Sequence, residues 1–264
     1  MKIITLNIWD LPLWFIRDRA VRIKRICNFL KSFNADIICL QESFDPDHRV
    51  KLNTFFRRIG YFISDESARY RRVFGMKMAV SGGLVIFSKF PIRKSRFSLF
   101  PRSLFSPIEY FSGKGMLASV VETPYGALQI ANVHFYQKNL LSDEAIHFSQ
   151  LNRVLNQLAT YEPLPTILAG DFNEDNMLGN SKFLNRMSAN HFLHPHTELL
   201  DPSYRNNNPY VAIWINKILH SKRIDYILHK GIDVLGLKLK RYEVLYSDPA
   251  LSDHDPVVLV FDRK

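Results

Sequence analysis

The 264-residue chain contains only two cysteines, Cys27 and Cys39. Cys27 falls on the apolar face of a predicted helix and Cys39 inside an apolar strand. That predicts two small core residues and excludes a disulfide framework or a thiolate metal centre. No stretch approaches the ~20 consecutive apolar residues that a membrane-spanning helix needs. A leader peptide is missing as well, because the apolar Ile3-Ile4 is soon interrupted by Asn7 and Asp10. The sequence therefore reads as a cytoplasmic product, or as a mature protein given without its leader. Internal repeats, low-complexity tracts and linkers are absent, so residues 1–264 read as one domain. Acidic residues are in short supply: 25 Asp and Glu against 35 Lys and Arg leave a net charge of +10. Such an excess favours an anionic partner: nucleic acid, a phosphorylated small molecule or an acidic membrane surface. An evenly spread charge would give the same total. What the chain does have is apolar mass, 47% hydrophobic and 13% aromatic. That supports a large core and rules out disorder.

Along the chain, alternation predicts a first strand over 2–9, closed by Pro12. From Arg17 to Phe33 apolar residues recur at Ala20, Ile23, Cys27 and Leu30, a helical spacing. Its other face (Arg17, Arg19, Arg22, Lys24, Arg25, Lys31) reads as a solvated basic surface. Strands follow at 36–40 and 61–64, with a helix over 48–59 between them. Residues 66–80 read as irregular. Strands at 83–89 and 115–122 flank an aromatic and basic stretch over 93–111. Thr123-Pro124-Tyr125-Gly126 predicts a hairpin turn into a strand over 127–135. A helix over 143–161 leads to a strand at 166–169, then a short helix at 181–187. Residues 189–222 are the least regular part, and the remaining strands fall at 223–229, 242–247 and 257–262. Hairpins mixed with strand–helix–strand units favour an α/β fold of two packed sheets with helices outside.

Several predicted strand ends carry polar groups that a fold alone does not require. They are Asn7, Glu42, Asn132 and His134, Asp171 and Asn173, Asp225, and the run Ser252-Asp253-His254-Asp255. A buried acid is costly unless a cation or a reacting group offsets it. In an extended strand, Asp171 and Asn173 would point to one side. Each group has an ordinary explanation alone: a turn, a satisfied core histidine, or an Asp225–Arg223 pair. One shared site explains all of them together. The cluster His191, His194 and His196 has rough metal spacing but reads as a surface loop beside Pro195.

The ordered set Asn7, Leu40-Gln41-Glu42, Asn132-x-His134, Gly170-Asp171-Phe172-Asn173, Arg223-Ile224-Asp225-Tyr226 and Ser252-Asp253-His254 resembles the endonuclease/exonuclease/phosphatase superfamily of metal-dependent phosphodiesterases. The resemblance spans residues 3–260. It implies a four-layer α/β sandwich, with two mostly antiparallel or mixed sheets flanked by helices. It also implies that Glu42 is the principal Mg²⁺ ligand, with Mn²⁺ as a substitute, that Asn7 lies close to the metal or the phosphate, and that Asp253 lies near a second metal. By the same resemblance Asn173 and His134 contact the scissile phosphate, and Asp171 orients or deprotonates the attacking water. His254 stabilises developing charge and Asp225 holds its ring. Asp171 and His254 both remain candidates for taking the water proton. Such a set makes chemical sense for a phosphodiester, whose charge repels a nucleophile until cations and amide donors offset it. Oxygen donors suit Mg²⁺, and the absence of cysteine among them disfavours zinc.

For the substrate, Phe44-Asp45, Ser88-Lys89-Phe90-Pro91-Ile92 and Phe111-Ser112-Gly113-Lys114-Gly115 look like neutral sphingomyelinases. Ser43-Phe44-Asp45 departs from base-excision endonucleases, which show Thr-Lys there. Lys222-Arg223-Ile224 lacks the cysteine usual in inositol phosphatases. The expectation is a monomeric phospholipid hydrolase, with a deoxyribonuclease-like enzyme as the alternative and an inactive phosphate-binding module as a third class. Residues 93–111 are the expected membrane contact, through Phe100, Leu104 and Phe105, unless their aromatics fold back onto the core.

Overall fold

The structure, a computed structural model, describes residues 1–64, 70–73, 75–79, 81–101, 112–137, 144–175, 177, 181–194, 201–211 and 220–264. Strand β1 (Lys2–Asn7) passes through helix α1 (Arg19–Phe33) into the parallel strand β2 (Ile37–Gln41). Helix α2 (Pro46–Arg58), β3 (Phe62–Ile63) and the antiparallel pair of β4 (Tyr70–Val73) and β5 (Met76–Ala79) follow. Next come β6 (Val85–Ser88), β7 (Ile92–Leu99), β8 (Gly115–Thr123) and β9 (Gly126–His134). Helix α3 (Glu144–Ala159) then leads to β10 (Thr166–Asp171), and α4 (Ser181–Ala189) to β11 (Asp225–Lys230). The chain closes with β12 (Leu237–Val244) and β13 (Val257–Arg263).

These strands form a six-stranded sheet, β12-β13-β1-β2-β6-β3, and a five-stranded sheet, β11-β10-β9-β8-β7. Alternate residues of each strand serve different layers. Ile3, Ile37, Cys39 and Ile86 of the first sheet meet Leu117, Ile130, Ile167 and Ile227 of the second. Their neighbours Ile4, Leu6, Ile38, Leu40 and Phe87 turn the other way, onto Ile26, Leu30, Leu52 and Phe56 of α1 and α2. On the far side, Val133, Leu168 and Leu228 meet Leu151, Val154, Phe183 and Met187 of α3 and α4. Strands covered on both faces are apolar throughout rather than alternating, which is why 37–40 and 166–169 read as continuous apolar runs. The result is the four-layer α/β sandwich expected from the sequence.

Several elements differ from the sequence reading. Helix α2 begins two residues early because Asp45 caps it, its side chain accepting from the backbone N–H groups of Asp47 (2.9 Å) and His48 (3.2 Å), with Pro46 at the first helical position. Tyr70–Val73 and Met76–Ala79, in a stretch read as irregular, pair as antiparallel strands. Strand β12 runs over 237–244, not 242–247; its exposed Lys238, Lys240 and Arg241 and a bulge after Leu239 are features of a charged sheet edge. Strand β7 is the corresponding edge of the other sheet. It takes up the first part of the 93–111 stretch, and Phe100 just beyond it is 2% exposed and packs 5.2 Å from the Phe135 ring. Phe100 is therefore a core residue and not a membrane contact, while Leu104 and Phe105 lie outside the described residues. Arg22 is buried too, against the expectation of a solvated basic face, because its guanidinium donates to carbonyls left open where the chain leaves β1: Ile8 O (2.7 Å) and Trp9 O (2.9 Å). Among the described residues, no helix is long and apolar enough to cross a membrane.

Candidate active site

Register brings the polar strand ends to one edge of the sandwich. Parallel pairing places Asn7 beside Gln41, the residue before Glu42. In the second sheet Asp171 sits between His134 on β9 and Asp225 on β11. Strand β13 runs antiparallel to β1 with Val257 opposite Thr5, so the loop over 252–256 lies at the same end. The backbone bends sharply there. Trp9 (φ 48°), Glu42 (φ 56°) and Asn173 (φ 48°) all take left-handed conformations, each at a cost of roughly 1–3 kcal/mol for a non-glycine residue. Gly170 (φ 143°) admits no substitute, since an added Cβ would lie 2.0 Å from Val133 O.

Asn7 brackets the two principal acids. Its Nδ2 donates to Glu42 Oε1 (3.0 Å) and to Asp171 Oδ2 (3.0 Å). The amide orientation is fixed by Trp9, whose backbone N–H donates to Asn7 Oδ1 (3.0 Å). His134 Nε2 stands 3.4 Å from Asp171 Oδ2 and 3.7 Å from Glu42 Oε1. On the opposite side His254 Nδ1 contacts Asp225 Oδ2 at 2.8 Å, and its Nε2 lies 4.0 Å from Asp171 Oδ2. A group entering between His254 and Asp171 would meet both. Asn173 departs from the expected strand geometry, because β10 ends at Asp171. Its backbone N–H donates to Asp171 Oδ1 (2.8 Å) and its Nδ2 to Phe135 O (2.9 Å). Asn132 is not in the cleft at all. It is fully buried and ties the sheets together, donating to Leu40 O (2.8 Å) and Val85 O (3.1 Å) and accepting from Gln41 Nε2 (2.7 Å).

Burial sets the electrostatics. It pushes Glu42 up to about 7, with the Asp253 charge adding to the effect and Lys114 and Asn7 opposing it. Asp171 rises to about 6, through burial first and the neighbouring Asp225 second. Asp253 is raised by burial as well. His134 is driven well below the usual imidazole range by burial and by the Lys114 and His254 charges, so it is neutral. For His254 burial works in the same direction, but Asp225, Asp253 and Asp171 outweigh it and hold the ring protonated. Lys114, buried at 6% exposure, adds positive charge that acts on Glu42, Asp171 and His134.

A divalent cation fits these residues. Glu42 Oε2 and both His134 ring nitrogens are buried without a hydrogen-bond partner. One donor atom each from Glu42, His134 and Asp171 lie within 4.8 Å of one another, as do donors from Asp171, Asp225 and His254. The set is mostly carboxylate oxygen, which suits Mg²⁺ or Mn²⁺ better than soft metals.

Supporting residues other than Asp255 escaped the sequence reading. Asp10, buried behind Glu42, pairs with Arg19 (3.0 Å) and His48 (2.9 Å), and its N–H donates to Glu42 O (3.0 Å). Glu174 meets His147 of α3 at 2.9 Å, and the other ring nitrogen of His147 donates to Tyr136 O (2.6 Å), clamping the segments after β9 and β10. Residues 201–208, within the stretch that gave no pattern, hold the other rim. Ser203 Oγ accepts from Asp225 N (3.0 Å), and Arg205 clasps Asp255 at 2.5 and 3.1 Å. Only Asp255, next to Ser-Asp-His, and Glu174, after Gly-Asp-x-Asn, carried a sequence signal. Of the histidine cluster, His191 is exposed, His194 stacks edge-on to Tyr226 and Tyr242, and His196 lies outside the described residues.

The family model of the endonuclease/exonuclease/phosphatase family matches residues 4–254. The chain belongs to that family. No curated protein matches it in sequence. Among solved structures, sphingomyelinase C from Streptomyces griseocarneus superposes with a TM-score of 0.70 at 17% identity, covering 98% of each chain. A beta toxin variant from Staphylococcus aureus with bound magnesium ions gives 0.71 at 16% identity, again over 98% of each chain. Humanized D. rerio TDP2 gives 0.71 at 16%, over 99% of this chain and 98% of that one. At such identities the likeness carries the fold, and this family member's substrate has to be argued from its own residues.

Proposed function

We propose that this family member hydrolyses a phosphodiester with a bound divalent cation, Mg²⁺ or Mn²⁺, and that its substrate is a phospholipid such as sphingomyelin, cleaved in the manner of a phospholipase C. The observation that carries the chemistry is the convergence on Asp171 Oδ2, which has Asn7 at 3.0 Å, His134 at 3.4 Å and His254 at 4.0 Å. The cation would rest on Glu42, with Asn7 and Asp253 nearby, and would supply positive charge to the phosphate. Asp171, held near 6 and oriented by two donors, accepts the proton of the attacking water. His254 is already protonated and braced by Asp225, so it faces the developing charge as a donor rather than a base. His134, Asn173 and Lys114 complete the polar lining on which the phosphate oxygens settle. Attack forms one P–O bond as the ester P–O bond opposite it breaks.

The lipid reading is supported by the short sphingomyelinase-like stretches around Phe44, Lys89 and Lys114, and by the likeness in fold to a sphingomyelinase C. A nuclease reading stands second on a specific ground: the net charge of +10 suits nucleic acid. Sphingomyelin vesicles, plasmid DNA, RNA and a soluble bis-aryl phosphodiester, each with Mg²⁺ and with chelator, separate the possibilities. Expected is metal-dependent release of phosphocholine as the fastest reaction. DNA cleavage with intact lipid would transfer the assignment to the nuclease, and no metal-dependent turnover of any substrate would leave only a phosphate-binding module.

A further inference from the structure

The loop between β1 and α1 starts at Asn7 inside the site and carries the most exposed large apolar side chain among the described residues. Trp14 is 95% exposed and Phe15 is 53% exposed, with Val21 of the first α1 turn at 51%. The loop is anchored on both sides of this crest. Leu11 packs onto Phe44 and Met78, and Ile16 is buried. Two short backbone bonds, Leu13 N to Leu11 O (2.8 Å) and Ile16 N to Leu13 O (3.1 Å), keep it wound. At its base the Asp10 N–H donates to Glu42 O, so the crest is mechanically continuous with the candidate active site. An aromatic pair held out of the fold in this way does nothing for the core.

We propose that Trp14 and Phe15 form a wedge that seats the mouth of the site on a phospholipid surface, an inference that rests on the lipid reading above. Three observations favour lipid over other partners. The company is aliphatic as well as aromatic, since Pro12, Leu13, Ala20 and Val21 surround the pair in sequence and are exposed or half-buried. Indole rings and short apolar clusters of this kind settle at the boundary between headgroups and acyl chains. The flanking charge is net positive: Arg17 and Lys24 are exposed against a single nearby exposed acid, Asp18, which accepts the Tyr210 hydroxyl (3.3 Å). Basic side chains beside an apolar wedge complement anionic headgroups. Finally, the two rings meet edge to face, 5.7 Å apart with 88° between their planes. Rings set edge to face give a base one face to stack on, not the run of platforms that successive nucleic-acid bases occupy.

The test uses the full chain carrying Glu42→Gln, so that lipid is not consumed, with and without Trp14→Ser/Phe15→Ser. Binding is read by cosedimentation with vesicles of sphingomyelin and phosphatidylserine, and by quenching of tryptophan emission with brominated lipid. The expected result is a fall in partition of at least about tenfold when the wedge is removed, loss of most quenching, and an unchanged melting temperature. Equal partition of the two proteins would overturn the inference. So would loss of single-stranded DNA binding with vesicle binding intact, which would assign the rings to bases. The two readings fail separately. Wedge-dependent binding by a chain that hydrolyses no lipid keeps the wedge and discards the phospholipase, and lipid hydrolysis with wedge-independent binding does the reverse.

Discussion

Glu42 gives the sharpest test, because its burial has a consequence for stability as well as for activity. Its carboxyl is pushed from 4.5 up to about 7 by burial and then by Asp253. Between those values the folded, metal-free chain holds a proton that the unfolded chain has released, so stability falls as pH rises through that window. The loss is fully present above pH 7 and absent below about 4.5. A displacement of about 2.5 pH units corresponds to about 3 kcal/mol at 1.36 kcal/mol per unit. Glu42→Gln keeps an oxygen for the Asn7 amide and removes the charge. In chelator above pH 7 it should therefore be more stable than the parent by about 3 kcal/mol, or roughly 6–12 °C in melting temperature for a chain of this size. Below pH 4.5 the two should melt together. Adding Mg²⁺ at neutral pH should raise the parent's melting temperature and leave the variant's unchanged, since binding to the native state alone stabilises it. Thermal melts from pH 4 to pH 8, in chelator and in Mg²⁺, give the answer. Parallel curves for parent and variant across this range would refute the electrostatic account of the site.

The remaining predictions concern the proposed role of His254 and the tie between the sheets. His254→Ala should lower turnover of a soluble phosphodiester by about 10²–10⁴-fold, and the double variant with Asp225→Ala should be little worse, since Asp225 acts through the ring it holds at 2.8 Å; multiplicative losses in the steady-state rates would give Asp225 a separate role. Asn132→Ala should cost on the order of 3 kcal/mol in chemical denaturation, because Leu40 O and Val85 O lose their donor in a dry interface; a change under 1 kcal/mol would mean that water replaces the amide.

The candidate site was legible in the sequence because its residues break the packing rule of the strands that carry them. Glu42 after Ile37–Gln41, and Asp171 at the end of Thr166–Ala169, are charges where apolar runs stop, and burial makes them expensive. Position in the chain was therefore informative even though contact was not visible. What stayed hidden depends on partners distant in sequence. Arg22 looks solvated on a helical wheel, yet the turn at Trp9 leaves two carbonyls that draw it inside. Asn132 sits two residues before His134 on the same strand, and only the proximity of the other sheet makes it a structural tie. Phe100 follows a basic edge strand that looks like surface, and its ring is claimed by Phe135, just past the end of β9. Residues 201–208 have no periodicity because their role is to hydrogen-bond loops, and backbone groups leave no trace in side-chain pattern.

The candidate site is knit together across the two sheets by the contacts Asn7–Asp171, His134–Glu42 and His254–Asp225. Asn7 ends β1 and Glu42 directly follows β2 of the first sheet, while Asp171 and His134 end strands of the second. His254 precedes β13 of the first, and its brace Asp225 opens β11 of the second. Directly beneath them Gln41 and Asn132 bridge the same gap at 2.7 Å. Neither sheet alone holds a carboxylate, an amide bracket and a braced imidazolium, so the constellation exists only once the sandwich has closed. That arrangement also explains how three left-handed residues and several buried acids are tolerated together. The inter-sheet core of Ile3, Ile37, Ile130 and Ile167 is fully buried and fixes the separation of the strand ends. Strain and charge at the rim then act against a packed interface that deforms reluctantly. A substitution that loosens this interface should therefore displace Asp171 relative to Glu42 before it unfolds the chain, and activity would be lost ahead of stability.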